Sequence, residues 1–310
     1  MKGFGVVILI IFFILSLAGN FYLFQLWQKA STNRIGGLRE KYPLLSARAL
    51  NPNNSSDLGV NFLPLREAIH QQVDPYSKSF AVYFEYLPTG TTIGINEDSN
   101  FTAESLLKVP VVMAYFHKKE QLGITEDPTV AIAPKELNSK FGSLYKKGTG
   151  YKINLSDAVK FALQKSDNTA SLILADQITE NDFQFVYDGL DIPETTDKNT
   201  PIITAQEYAS ILKALYFGSV LSNEDSEYIL QLLTHTDYNS LLPGGVPKGI
   251  PVAHKIGLVN NQIYQDCGIV YVPGRPYALC MVSKSNFKTA QQRMHTISKM
   301  VYGYVAKLTN

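Results

Sequence analysis

Cysteine is nearly absent from this chain, and so is any imbalance of charge. Two cysteines in 310 residues cannot build a disulfide-stapled scaffold or an all-cysteine zinc site. Charged residues make up 18%, with 28 Lys plus Arg against 27 Asp plus Glu and a net charge of +1. No basic surplus is there to hold a nucleic-acid backbone, so no nucleic-acid partner is expected. The five histidines show no metal-ligand spacing, and neither a metal nor another cofactor is expected. There is no internal repeat and no long low-complexity tract. What is plentiful is apolar residues, 45% of the chain, too many for a disordered one. At this length they imply one two-lobed unit or two domains with a good core.

The N-terminus carries a long apolar run. From Gly3 to Gln28 no residue is charged. About 20 apolar residues span a bilayer as a helix. Ser16-Leu17-Ala18 followed by Gly19 would serve as a signal-peptide cleavage site. However, the apolar stretch continues past it to Trp27 and Lys29, as an interfacial anchor does. Residues 1–28 are therefore read as a transmembrane anchor, with an extracytoplasmic domain that is secreted if the segment is cleaved. Residues 29–61, with Gly36-Gly37 and Asn51-Pro52-Asn53-Asn54, read as a linker.

The remainder, 62–310, predicts an α+β fold. A helix is expected around Leu63–Gln72, then strands over Phe80–Leu87 and Thr91–Ile95. Ser105–Lys119 is apolar nearly all round, which predicts a buried helix with Pro110 kinking it or sitting early. The middle reads as helices: one capped by Ser156 and running through Gln164, then Thr169–Ile178, Thr204–Leu215 and Asn223–Leu233. Three strands follow, Val252–Gly257, Ile263–Val272 and Tyr277–Ser283, the last two joined by a type II turn at Pro273-Gly274. A closing helix puts Met294, Ile297, Val301 and Tyr304 on one face. The expected architecture is an antiparallel sheet flanked by N- and C-terminal helices (62–124 and 245–310), plus an all-helical lobe (125–244).

Three short patterns could carry chemistry. Ser105-Leu106-Leu107-Lys108 places a hydroxyl and an amine one helical turn apart. A desolvated lysine can take the proton that keeps serine a weak nucleophile. The spacing alone is unspecific, for Ser143, Ser210 and Ser285 begin the same pattern. Ser105 stands out by the apolar character of its helix. Ser166-Asp167-Asn168 falls between two predicted helices, where such residues also serve as caps. Lys255-Ile256-Gly257 lies late in a predicted strand.

Taken in order, these three resemble the serine β-lactamase and penicillin-binding protein superfamily, class A β-lactamases most closely. The likeness covers roughly 62–310, including Phe101–Lys108 and Asp266–Val272. It implies a fold like the one read above and a role for each residue. Ser105 would accept the acyl group, Lys108 would be its base partner, and Ser166 would pass a proton to the leaving nitrogen. Asn168 would hold the substrate amide. Lys255 would supply positive charge for the substrate carboxylate and tune Ser166, Gly257 would border the substrate, and the backbone N–H groups of Ser105 and Leu258 would form an oxyanion hole. The implied partner is a small β-lactam or a peptidoglycan stem peptide.

Two departures from the family pattern stand out. Ile256 occupies a position that carries a hydroxyl in Lys-Thr-Gly or Lys-Ser-Gly. No Glu-x-x-Leu-Asn follows Ser166-Asp167-Asn168, and Glu194 is the best stand-in for a water-activating carboxylate. A site that acylates without such a base holds its acyl group for long times. Three readings result: a β-lactam-opening hydrolase, a membrane-anchored D,D-peptidase, and a sensor that binds peptidoglycan or β-lactams. The two-residue turn at Pro273-Gly274 sets Cys267 opposite Cys280. Two free thiols packed on one sheet face are expected there, with a cross-strand disulfide as the alternative.

Overall fold

The computed structural model describes residues 16–17, 19–25, 41–44, 60–76, 78–193, 195–197 and 200–308. Helix α1 spans Leu63–Val73, with a proline in its first turn, where its missing N–H costs nothing. Strands β1 (Phe80–Tyr86) and β2 (Thr91–Ile95) form a hairpin. Strand β3 (Phe101–Thr102) leads into a 3-10 turn, Glu104–Leu107, and that into α2, Lys108–Gln121. Pro110 is the third residue of α2. There its missing donor is one of the helix's orphans, so it sits early and breaks nothing.

The middle of the chain holds β4 (Thr129–Ala131), β5 (Lys152–Asn154), α3 (Leu155–Gln164), α4 (Asn168–Ala175) and α5 (Glu180–Asp188). Strands β6 (Thr195–Asp197) and β7 (Thr200–Ile203) and helices α6 (Ala205–Phe217) and α7 (Asn223–Leu233) follow. The expected all-helical lobe is thus corrected: β4 pairs with β5, and β7 pairs with both β6 and β3. These strands are two to four residues long and mostly exposed, too short to show a period. Ser156 is not the cap of α3. Asn154 holds that position, and Ser156 instead bonds Asp127 through its backbone N–H and hydroxyl, at 2.9 and 2.6 Å.

The chain closes with β8 (Val252–Val259), β9 (Ile263–Val270), β10 (Tyr277–Lys284) and α8 (Phe287–Val305). The main sheet is antiparallel throughout, in the order β2-β1-β10-β9-β8. Its two ends of chain meet where β1 pairs with β10. All seven residues of β1 are buried, because both faces of the sheet are covered. Phe80, Val82, Phe84 and Tyr86 pack with α1 and α8, while Ala81 and Tyr83 join the core shared with the helical body. Glu85 shares that second face, held by Tyr83 Oη at 2.6 Å and Lys213 Nζ at 2.6 Å.

The β9–β10 turn follows the expected geometry. Gly274 has φ +72°, and Arg275 N–H donates to Val272 C=O at 2.8 Å. Cys267 pairs with Cys280, and the two are joined by a disulfide. The expectation of free thiols is thereby overturned: direct cross-strand registry brings the sulfurs together. Tyr42 and Leu44, within the expected linker, are buried against α7, where Leu44 N–H donates to Glu227 Oε2 at 2.9 Å. Most of the apolar run 3–28 lies outside the described residues. Among those described, no helix is long and apolar enough to cross a membrane; the expected spanning helix lies mostly outside the described residues.

Candidate active site

β8 is an edge strand, and its free edge faces the turn that carries Ser105. Between them opens a cleft of about 480 Å³. Ser105 is half-buried in the 3-10 turn, and Lys108 is the buried first residue of α2. Their spacing puts both on one side of the chain, and Lys108 Nζ lies 2.8 Å from Ser105 Oγ. The same amine bonds Asn168 Oδ1 at 2.7 Å and Ser166 Oγ at 3.4 Å. Lys255 reaches Ser166 from β8, with Nζ 2.8 Å from Oγ, and also donates to the carbonyl of Ile256 at 3.1 Å. Ser166 thus stands between two buried amines. The other patterns of the same spacing make nothing similar. Ser210 bonds its own helix at Gln206, and Lys213 is taken by Glu85.

The middle residue of Ser166-Asp167-Asn168 does different work. Asp167 is the N-cap of α4, accepting from Ala170 N–H at 3.1 Å. Its second oxygen accepts from Ser143 and Leu144 N–H at 2.6 and 2.8 Å. It is fully buried, so it ties the 142–144 loop to the start of α4. Gly142 makes room for it: at φ +93°, a Cβ there would lie 2.1 Å from Asp167 Oδ2. Ser166 itself sits at φ +51°, a left-handed conformation that this bonded surround maintains. Its hydroxyl is thereby set between the amines.

Burial lowers the Lys108 amine to about 8, against an opposing pull from Asp167 and Glu104. Lys255 is pushed well below the usual lysine range, first by burial and then by the charge of Lys108. An amine near 8 beside a hydroxyl is poised to exchange a proton at neutral pH. Lys108 donates to Ser105 when charged, and accepts the hydroxyl proton when neutral.

Ile256 and Leu258 are half-buried and line the cleft from the β8 side. Gly257 is buried between them; a Cβ there would lie 2.2 Å from Gln265 Oε1. Glu194 lies outside the described residues. Residues not singled out from the sequence also line the cleft: Asn138, Lys140 and Phe141 on one wall, Asn260 and Asn261 at the β8–β9 turn. The paired asparagines had a legible signal. Both adopt left-handed φ, 47° and 55°, as a tight hairpin turn demands. Among the described residues, no group of three His, Cys, Asp or Glu side chains is placed to hold a metal ion.

A serine bonded to a lysine of lowered pKa, with a second serine between two amines, is the equipment of an acyl-transfer site. The model of the beta-lactamase enzyme family matches residues 64–305. The chain belongs to that family. It stands within the serine β-lactamase and penicillin-binding protein superfamily. Beta-lactamase VEB-1 of Pseudomonas aeruginosa is 23% identical over 244 residues, covering 70% of this chain and 80% of that one. Beta-lactamase 3 of Bacillus cereus is 24% identical over 236 residues, covering 70% and 72%. Among solved structures, that of PBP-A superposes with a TM-score of 0.72 at 24% identity, over 79% of this chain and 97% of that one. The TLA-3 extended-spectrum beta-lactamase gives 0.71 at 21%, over 80% and 100%. At those identities the solved structures establish the shared α+β fold.

Proposed function

We propose that this family member is a serine acyl hydrolase that opens β-lactam rings through an acyl-enzyme at Ser105. The observation that carries the reading is the 2.8 Å contact between Ser105 Oγ and a Lys108 amine lowered to about 8. Neutral Lys108 takes the Ser105 proton as Oγ attacks the carbonyl carbon. The oxyanion is received by the backbone N–H groups of Ser105 and Leu258. Ser166, bonded to Lys108 and Lys255, passes a proton to the leaving nitrogen as the C–N bond breaks. Asn168 holds both Lys108 and the substrate amide. Water then releases the acid and restores Ser105. Glu194 remains the candidate for activating that water.

A second reading has a specific support. Among the described residues, the carboxylate lining the cleft is Glu104, exposed and adjacent to the nucleophile. A site short of a water-activating base deacylates slowly, which suits a D,D-peptidase or a sensor of peptidoglycan. The Cys267–Cys280 disulfide favours an oxidising, extracytoplasmic compartment. The apolar run 3–28 would be its membrane anchor.

Time-resolved intact-mass spectrometry with millimolar benzylpenicillin tests both readings. An adduct is expected on the wild-type protein and none on Ser105→Ala. Fast disappearance with hydrolysed penicillin means a β-lactamase; a lasting adduct, with D-alanine released from a D-Ala-D-Ala peptide, means the second reading. An equal adduct on Ser105→Ala sinks the nucleophile.

A further inference from the structure

Alternation along β8 turns Lys255 toward the helical body and His254 to the opposite face of the sheet. The proton path from Ser105 to the leaving nitrogen does not use His254, yet this residue is fully buried and bonded at both ring nitrogens. Nδ1 lies 2.8 Å from Asp266 Oδ1 on β9, an acceptor, so Nδ1 carries a hydrogen. Asp266 Oδ2 in turn accepts from Leu242 N–H at 2.8 Å. Nε2 lies 2.8 Å from Thr236 Oγ1 and 3.2 Å from Asn239 Oδ1. Asn239 Nδ2 donates to Thr236 C=O at 2.6 Å, which leaves its oxygen for the imidazole. Gly268 pairs with His254 across the ladder, and a Cβ there would lie 2.5 Å from His254 Cβ.

Thr236 and Asn239 belong to the loop after α7, and the residues between them reach the turn of Ser166. Asp237 N–H donates to Gln164 C=O at 3.0 Å, and Tyr238 Oη donates to Lys165 C=O at 3.2 Å. Those carbonyls belong to the two residues that precede Ser166. The Tyr238 ring packs on Phe141 with centroids 5.4 Å apart, and Phe141 C=O accepts from Asn168 N–H at 3.0 Å. One loop is therefore tied at His254 to the strand of Lys255, and at residues 237 and 238 to both sides of Ser166. Ser166 holds a left-handed backbone, φ +51°, which persists only where its flanks are held. β8, an edge strand, has a ladder on one side only.

We propose that His254 is a positioning residue for proton delivery by Ser166. Its imidazole, through Thr236 and Asn239, sets the Ser166 turn against the strand that carries Lys255. The inference rests on the reading of Ser105 as nucleophile and Ser166 as the donor to the leaving nitrogen. In that reading the proton that leaves Ser105 passes to Lys108, and Ser166 hands a proton to the nitrogen as the C–N bond breaks and regains one from Lys108. A displaced Ser166 slows only a reaction that needs this proton.

The test compares acylation rate constants for two donors, benzylpenicillin and N-benzoyl-D-alanyl thioglycolate. A ring nitrogen leaves only as it is protonated, whereas a thiolate leaves without a proton. His254→Asn keeps a donor for Asp266, because the asparagine Nδ2 falls near the place of Nδ1, and removes Nε2. Acylation by benzylpenicillin is expected to fall roughly tenfold to a hundredfold, and acylation by the thioester less than about threefold. Thr236→Val keeps the His254–Asp266 bond and is expected to show the same selectivity with a smaller loss. It carries the test if His254→Asn fails to fold. Equal losses on both donors, or no loss on either, overturn the positioning role and leave Ser105 as nucleophile. No adduct on the wild-type protein from either donor overturns both.

Discussion

Lys108 and Lys255 share one hydroxyl, yet the two walls that carry them are built in opposite ways. Lys108 starts a buried helix, and the groups around its amine are polar and bonded. Ser105, Ser166 and Asn168 all lie within 3.4 Å of its amine, and Asp167 braces the loop behind. Lys255 sits on an edge strand between His254 and Ile256, with two acceptors for its amine, Ser166 Oγ and the Ile256 carbonyl. The two amines feel the same force in different degree. Burial lowers both, but Asp167 and Glu104 pull back on Lys108, which stays near 8, while the charge of Lys108 drives Lys255 further down against a pull from Asp266. One wall is arranged to move a proton, and the other to set where Ser166 stands.

That contrast can be broken experimentally. Lys108→Met should cost the acylation rate roughly 10²- to 10⁴-fold, the usual contribution of a positioned base. Stopped-flow acylation beside an unfolding curve would show whether the loss is chemical. A variant that acylates at the wild-type rate would move the base to Lys255. Next in size is the brace. Asp167→Ala leaves three backbone N–H groups without their acceptor, and should lower unfolding stability by about 3 kcal/mol. A denaturant midpoint unchanged within error would mean that the loop stands without it. The gentlest probe is pH. Lys108 must be neutral to accept a proton, and its amine lies near 8. Acylation should therefore rise about tenfold per unit below pH 8 and level off above it. A flat profile from pH 6 to 8 would remove Lys108 as the titrating base.

Much of this was legible before any coordinates. α7 runs over the expected residues Asn223–Leu233, and the Cys267–Cys280 registry is the one counted from the turn. Local signals suffice there: a capping serine, a proline-glycine turn and a period of two. Helix α5 was overlooked although Thr179 and Asp182 form a capping box at its start. Its face is only partly apolar, so the periodicity was faint. Strands β4 to β7 left no trace, because two to four mostly exposed residues carry no pattern. The full burial of β1 was also hidden, since it depends on α1, α8 and the helical body covering both faces. Asp167 read only as the middle of the Ser166-Asp167-Asn168 motif, and its role as a brace depends on a loop 24 residues earlier.

By itself the sequence determined the types of most long elements, the order of the three short motifs and the pairing of the last two strands. These depend on propensity, periodicity and turn chemistry within a few residues. The tertiary structure alone decided which of four Ser-x-x-Lys patterns meets a second serine. Lys108 and Ser166 are 58 residues apart, and Lys255 and Ser166 are 89 apart. Bringing them within hydrogen-bond reach is the work of the packed sheet and helices, and the burial that lowers both amines exists only once that packing has excluded water.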